Sequence, residues 1–178
     1  ESGTLSELRP EDTFNFLCQD QCMGRCCTNI TILLDPWDIE EMARHLGLSG
    51  REFVEQYCYL DFDEQIRWPY ACLRHAKDGP CVFMLEDGKC RVYPVRSRNC
   101  RTYPVGRAVR FEFNGEESRM EEKLFMVERQ QFCFGHQADR AWTVGEWLED
   151  AGAGLYYDFS DLYTGLISYA DAVLEGRR

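Results

Sequence analysis

Ten cysteines lie in this chain, and eight of them are spaced as if to hold metal. Cys18, Cys22, Cys26 and Cys27 form a C-x3-C-x3-C-C cluster; Cys81, Cys90 and Cys100 follow about fifty residues on, and Cys133 stands further down. Soft thiolates select zinc, copper(I) or iron–sulfur clusters. A structural zinc site takes four ligands in a tetrahedron, and a [4Fe–4S] cluster takes four cysteines. Eight thiolates divide into two such sets. The adjacent pair Cys26-Cys27 matters most, because successive side chains on an extended backbone point opposite ways. Either each serves a different site, or one ligates while the other packs. All eight are therefore candidate metal and cofactor ligands, and no catalytic residue can be named. Cys58 and Cys72 fall outside the pattern: Cys58 reads as a small buried hydrophobe and Cys72, in a less ordered stretch, as a spare ligand.

The composition narrows the setting. At 178 residues with 44% hydrophobic and 13% aromatic content, the chain can build a core without covalent staples. A net charge of −11 argues against a nucleic-acid or anionic-membrane binder, since both reward positive charge. No apolar run approaches the ~20 residues that span a bilayer. No basic or apolar leader opens the sequence, so the expected setting is bacterial cytoplasm, where reducing conditions favour metal ligation over disulfides.

Elements must bring the distant cysteines together. Residues 1–17 carry no period and read as an irregular lead-in. Ile30, Ile32 and Leu34 share a face of a short strand. Asp35-Pro36 opens a helix that Gly47 ends, with Ile39, Met42, Ala43 and Leu46 on one side. Ser49 to Glu52 is a capping-box pattern for a second helix through Phe53, Val54 and Tyr57. From about 61 to 105 regular structure thins, apart from a hairpin predicted over 82–93 with its turn at Asp87-Gly88. Val109, Phe111 and Phe113 form a half-buried strand, Asn114-Gly115 breaks it, and Leu124 to Val127 returns beside it. Thr143 to Glu146 is another capping box, and a last helix is predicted from Ser160 or Asp161 through Leu162, Leu166, Ile167, Ala170, Val173 and Leu174.

Between Arg91 and Arg110 stand six arginines and no acid, a local reversal in an acidic chain. They suit either the neighbourhood of anionic metal-thiolate centres or a solvated docking patch. His45 reads as a helix C-terminal residue, His75 as an alternative ligand near Cys81, and His136 as a supporting residue near Cys133. Asp61, Asp63 and Glu64 read as a solvated loop, and the four tryptophans as packing.

Three blocks resemble the YkgJ-like cysteine-cluster (CxxCxxCC) family of zinc- or iron-chelating domains. They are Cys18 to Cys27 running on through Ile30-Thr-Ile-Leu-Leu-Asp-Pro-Trp-Asp38-Ile39 and Leu46 to Phe53; Cys81 to Leu85 with Gly88-Lys-Cys90-Arg-Val-Tyr93; and Arg98-Asn-Cys100-Arg101-Thr-Tyr103-Pro104, with Cys133 completing the pattern. The first cluster has wider gaps than the family name implies, and Ser97 stands where the motif carries proline. The wider spacing is similar to that of flagellin lysine-N-methylases, which use an iron–sulfur cluster. The resemblance implies a metal-binding protein holding zinc or a [4Fe–4S] cluster at one or two sites, zinc favoured, with a structural or partner-docking role. An iron–sulfur redox or protein-modification accessory enzyme, and metal storage or delivery, are the alternatives. The expected architecture is a small, irregular, metal-organised α+β domain of short helices and β-hairpins over 1–140, with a C-terminal helical segment, 141–178, packed upon it. A protein partner is expected, and neither nucleic acid nor membrane.

Overall fold

Local chemistry sets three helix starts. Asp35 accepts from the Asp38 amide at 2.9 Å while Asp38 accepts from the Asp35 amide at 3.3 Å, which opens α1 (Pro36–Leu46). Gly47, at φ 71°, closes it in the left-handed conformation that glycine adopts without steric cost. Reciprocal Ser49/Glu52 and Thr143/Glu146 boxes open α2 (Gly50–Tyr57) and α4 (Val144–Asp150). Such caps contribute about 1 kcal/mol each. Two further helices are α3 (Arg98–Thr102) and α5 (Ala153–Leu174). The structure is a computed structural model that describes residues 7–28, 30–77, 79–114, 117–127, 132–174 and 176.

Three small antiparallel sheets complete the α+β architecture. β1 (Glu7–Leu8) pairs with β7 (Glu117–Met126), which pairs along its length with β6 (Val105–Asn114). β2 (Thr13–Asn15) pairs with β8 (Ala141–Thr143). β3 (Leu33–Leu34), β5 (Trp68–Leu73) and β4 (Cys58–Asp63) form the third, in the order β3-β5-β4.

The larger core lies where α1 and α2 cover this third sheet. Met42, Ala43 and Phe53 meet Leu34, Cys58, Ala71 and Leu73 there. Cys81, Phe83 and Val92 enter the same cluster from the cysteine-bearing loop, which is thereby fastened to the helix pair. A smaller core joins Val105, Leu124 and Val144, with Phe14 and Trp147 against it. α5 packs on β6, α1, α3 and α4. Trp37 stacks on Phe159 with ring centroids 3.9 Å apart, and Tyr169 meets Phe113 edge-on at 5.9 Å. Among the described residues, no helix is long and apolar enough to cross a membrane.

Several sequence expectations need correction. The lead-in contains strands β1 and β2, each too short to show a period. The acidic loop at Asp61 and Asp63 is strand β4 and the start of its turn, where Asp63 accepts from the Gln65 and Ile66 amides. The hairpin over 82–93 reduces to a turn with a single Met84–Cys90 bridge. Only Leu33 and Leu34 of the first predicted strand join a ladder. α5 begins at Ala153 because Gly152, at φ 62°, is the break, while the Ser160 hydroxyl is taken by the Arg98 guanidinium. The Asn114-Gly115 turn lies partly outside the described residues.

Candidate metal centre

Two left-handed glycines bring the first and second cysteine segments together. Gly24 (φ 81°) separates two short 3-10 turns, Asp20–Cys22 and Arg25–Cys27. A Cβ there would lie 2.9 Å from Met84 Sδ and 3.0 Å from the Gly88 carbonyl oxygen. At Gly88, also at φ 81°, a Cβ would lie 3.0 Å from the Met23 carbonyl oxygen. The two turns can nest only because neither carries a side chain. Alongside, the Cys27 carbonyl accepts from the Cys81 amide at 2.8 Å, and Thr28 bridges Pro80.

The last cysteine arrives by a separate route. The Leu17 amide donates to the Gly135 carbonyl at 3.1 Å and the Phe16 amide to the Arg140 carbonyl at 2.9 Å. Gly135 lies so close to the Phe16 ring that a Cβ would come within 2.6 Å of it. Cys133 therefore stands beside the segment that carries Cys18 and Cys22. Cys100 is supplied by α3, whose first amide, from Arg98, is held by Asp38 Oδ1 at 2.7 Å.

The eight patterned thiols are electrostatic neighbours of one another. Burial raises the pKa of Cys18, and neighbouring Cys26, Cys22 and Cys133 raise it further. Cys27 has Cys26, Cys100 and Cys81 as neighbours; Cys81 has Cys90; and Cys100 has Cys81 and Cys90. Cys18 thus has Cys22, Cys26 and Cys133 around it, and Cys27 has Cys26, Cys81 and Cys100; Cys26 lies next to Cys27 and Cys90 as well. Burial pushes the Cys100 thiol up to about 12, while the Cys27 thiol, donating to Cys26, brings Cys26 down to about 7.

The thiols are neighbours without forming a finished cage. Among the described residues, no three His, Cys, Asp or Glu side chains are assembled to hold a metal ion. In donor type the eight thiols nevertheless fit a cysteine-held zinc or iron centre. Burial that opposes thiolate formation is offset when a cation replaces the protons, which is how metal binding couples to folding.

The arginines turn out to be fasteners rather than a facing shell. Arg96 eases ionisation of a patterned cysteine, Cys90. The buried Arg101 donates to the carbonyls of Ala151 (2.6 Å), Arg96 (3.2 Å) and Pro94 (3.3 Å), and covers the Tyr156 ring at 3.9 Å. Arg107 grips Asp161 with both terminal nitrogens at 2.5 and 2.8 Å and pairs with Glu122. Arg110, beside Glu112, is solvated.

Of the remaining residues, His75 stays beside the centre, paired with Cys81 in an isolated antiparallel bridge. Cys58 is buried in the larger core, and Cys72 lies across the ladder from Tyr59. His45 is exposed in the last turn of α1. His75 Nδ1 lies 3.1 Å from the Leu73 carbonyl oxygen, and His136 packs edge-on to Phe16 at 5.1 Å. Two residues that the sequence did not single out, Ser97 and Tyr103, carry buried hydroxyls with no hydrogen-bond partner. Tyr103 had a signal in its motif; Ser97 had only its departure from that motif.

The model of the CxxCxxCC family, described as "Putative zinc- or iron-chelating domain", matches residues 17–134. That span opens one residue before Cys18, closes one after Cys133, and includes every patterned cysteine. No solved structure matches the chain. With most of its length matched, this chain belongs to the CxxCxxCC family of zinc- or iron-chelating domains.

Proposed function

We propose that the chain binds two zinc ions, one at Cys18, Cys22, Cys26 and Cys133 and the other at Cys27, Cys81, Cys90 and Cys100. Their role is to fasten the three cysteine-bearing segments to one another and to the helix pair. The observation that supports this reading is the surroundings of two thiols: Cys18 has Cys22, Cys26 and Cys133 as neighbours, whereas Cys27 has Cys81 and Cys100, with Cys26 next to both. Two centres joined by one peptide bond suit single ions, which need one point per four sulfurs, better than clusters of four irons and four sulfides. Two surface grooves, of about 730 and 460 Å³, lie elsewhere and are lined by no cysteine. Four thiolates fill the coordination of zinc and leave no position for a substrate, which favours a structural role over catalysis.

Single-cysteine variants test the division. In a chelator concentration that leaves wild type with two zinc ions, Cys26→Ser and Cys27→Ser each retain one, and each loses a different one. Retention of both ions by either variant, or loss of both by each, contradicts the assignment of the pair to separate centres.

A further inference from the structure

We propose that α5 pairs, along an exposed apolar seam, with α5 of a second copy of this chain, making a two-fold symmetric dimer. The inference stands independently of the metal reading above.

The spacing of residues sets the seam. Leu155, Phe159, Leu162, Leu166, Tyr169 and Val173 follow one another at steps of four, three, four, three and four residues. Steps that average about 3.5 residues keep one face of a helix turned towards another helix. All six lie in α5, and all six are between 38% and 71% exposed. The face of α5 that its own domain covers is a different one, where Ala153, Tyr156 and Ser160 are buried. A surface helix ordinarily shows charge to solvent. This one shows leucines and aromatic rings, while two of its acids, Asp161 and Asp171, are paired with Arg107 and Arg67.

The β6–β7 hairpin broadens the seam. A groove of about 730 Å³ runs between the hairpin and α5, with Phe111, Phe113 and Met120 on one wall and Leu162 and Leu166 on the other. Tyr169 rests edge-on against Phe113 and Phe159 lies flat on Trp37, so both rings are already positioned. With the exposed Met120, the seam leaves on the order of 600 Å² of side chain in water, the upper end for an apolar patch on a monomer. Two such faces bury on the order of 1,200 Å², where specific, stable interfaces begin.

The seam is its own complement. Its steps read the same in both directions, so an antiparallel pair centred on Thr164 leaves no seam residue unmatched. Leu162 opposes Leu166 of the partner subunit, Phe159 opposes Tyr169 of the partner subunit, and Leu155 opposes Val173 of the partner subunit. This is the closed, isologous contact of a two-fold dimer. Of the positions flanking the seam only Asp158 is charged, and this register sets it beside Ala170 of the partner subunit. Two chains of net charge −11 therefore meet here without like-charge repulsion. A charged partner helix finds no complement on this face, whereas an identical helix does.

Sedimentation equilibrium on the full chain, with its metal retained, tests the pairing. Interfaces of this size reach at least micromolar affinity, so wild type at about 100 µM is expected as a dimer. Leu162→Glu and Leu166→Glu each bury two unpaired carboxylates near the two-fold axis and raise the dissociation constant at least about a hundredfold. Leu162→Ala, which keeps a good helix former, weakens the dimer about tenfold and carries the test if a glutamate variant misfolds. Leu60→Glu alters an equally exposed leucine on β4 and leaves the dimer intact. Far-ultraviolet circular dichroism and metal content stay those of wild type throughout. A monomeric wild type overturns the inference and leaves the face to a different partner. So does a dimer that persists in the seam variants, or one that dissociates equally in Leu60→Glu.

Discussion

Stripping both ions from the native chain should lower its thermal midpoint by more than about 10 °C. Structural zinc supplies roughly 10–16 kcal/mol of apparent binding free energy in small zinc-dependent domains. Each 1 kcal/mol shifts the midpoint of a domain of this size by about 2–4 °C, so about half of that energy at one site reaches the threshold. The effect should be uneven. Residues 80–104 contain little regular structure beyond the short 3-10 turn Tyr93–Val95 and α3, although Phe83 and Val92 are core residues. Their amides should lose hydrogen-exchange protection first, together with residues 18–28. The β6–β7 ladder closes on itself and should keep its protection longest. A midpoint that moves less than about 3 °C in calorimetry, with two ions demonstrably removed, contradicts a fastening role.

Arg101→Ala should destabilise the metal-loaded chain by about 3 kcal/mol or more, the largest effect expected from any residue outside the cysteines and the apolar core. The side chain serves three backbone carbonyls at once, two in the segment leading to α3 and one between α4 and α5. Removing it leaves the buried Ala151 carbonyl unpaired, frees the part-buried carbonyls of Arg96 and Pro94, and strips the cover from Tyr156. It also unfastens the C-terminal helices from the segment that presents Cys100. Arg101→Lys should recover less than half of the loss, because an ammonium group cannot reproduce the planar fork that spans several acceptors. Urea unfolding of the loaded variants measures both values. A loss below about 1 kcal/mol for Arg101→Ala shows that the carbonyls find other donors.

What the sequence disclosed was chiefly what short-range chemistry decides. The Ser49/Glu52 and Thr143/Glu146 boxes, Asp35-Pro36 and Gly47 all act within four residues, and each sits where the sequence placed it. The alternation of Val109, Phe111 and Phe113 likewise marked β6. β4 and β5 escaped because Asp61 and Asp63 looked like a solvated loop and Pro69 reads against a strand, although an outer strand tolerates acids and a ladder can accommodate one proline. Ser160 resembles a helix cap, yet it lies within α5, where Arg98 engages it from about sixty residues away. The arginine run illustrates the same limit. Its lack of acids was visible, but the partners Asp161, Ser160 and the Ala151 carbonyl come from the C-terminal helices. For the thiols, the vicinal pair already suggested two destinations. The grouping of Cys133 with Cys18 and Cys22 depended on the close approach of Gly135 to Phe16, which no spacing reveals.

The central claim is two mononuclear zinc centres built from eight thiolates. Metal and acid-labile sulfide content per chain, measured with a visible spectrum on anaerobically purified protein, tests it most directly. The account predicts two zinc ions, no sulfide and no visible absorption. Iron with matching sulfide in a brown sample would contradict it and make these cysteines the ligands of an iron–sulfur cluster.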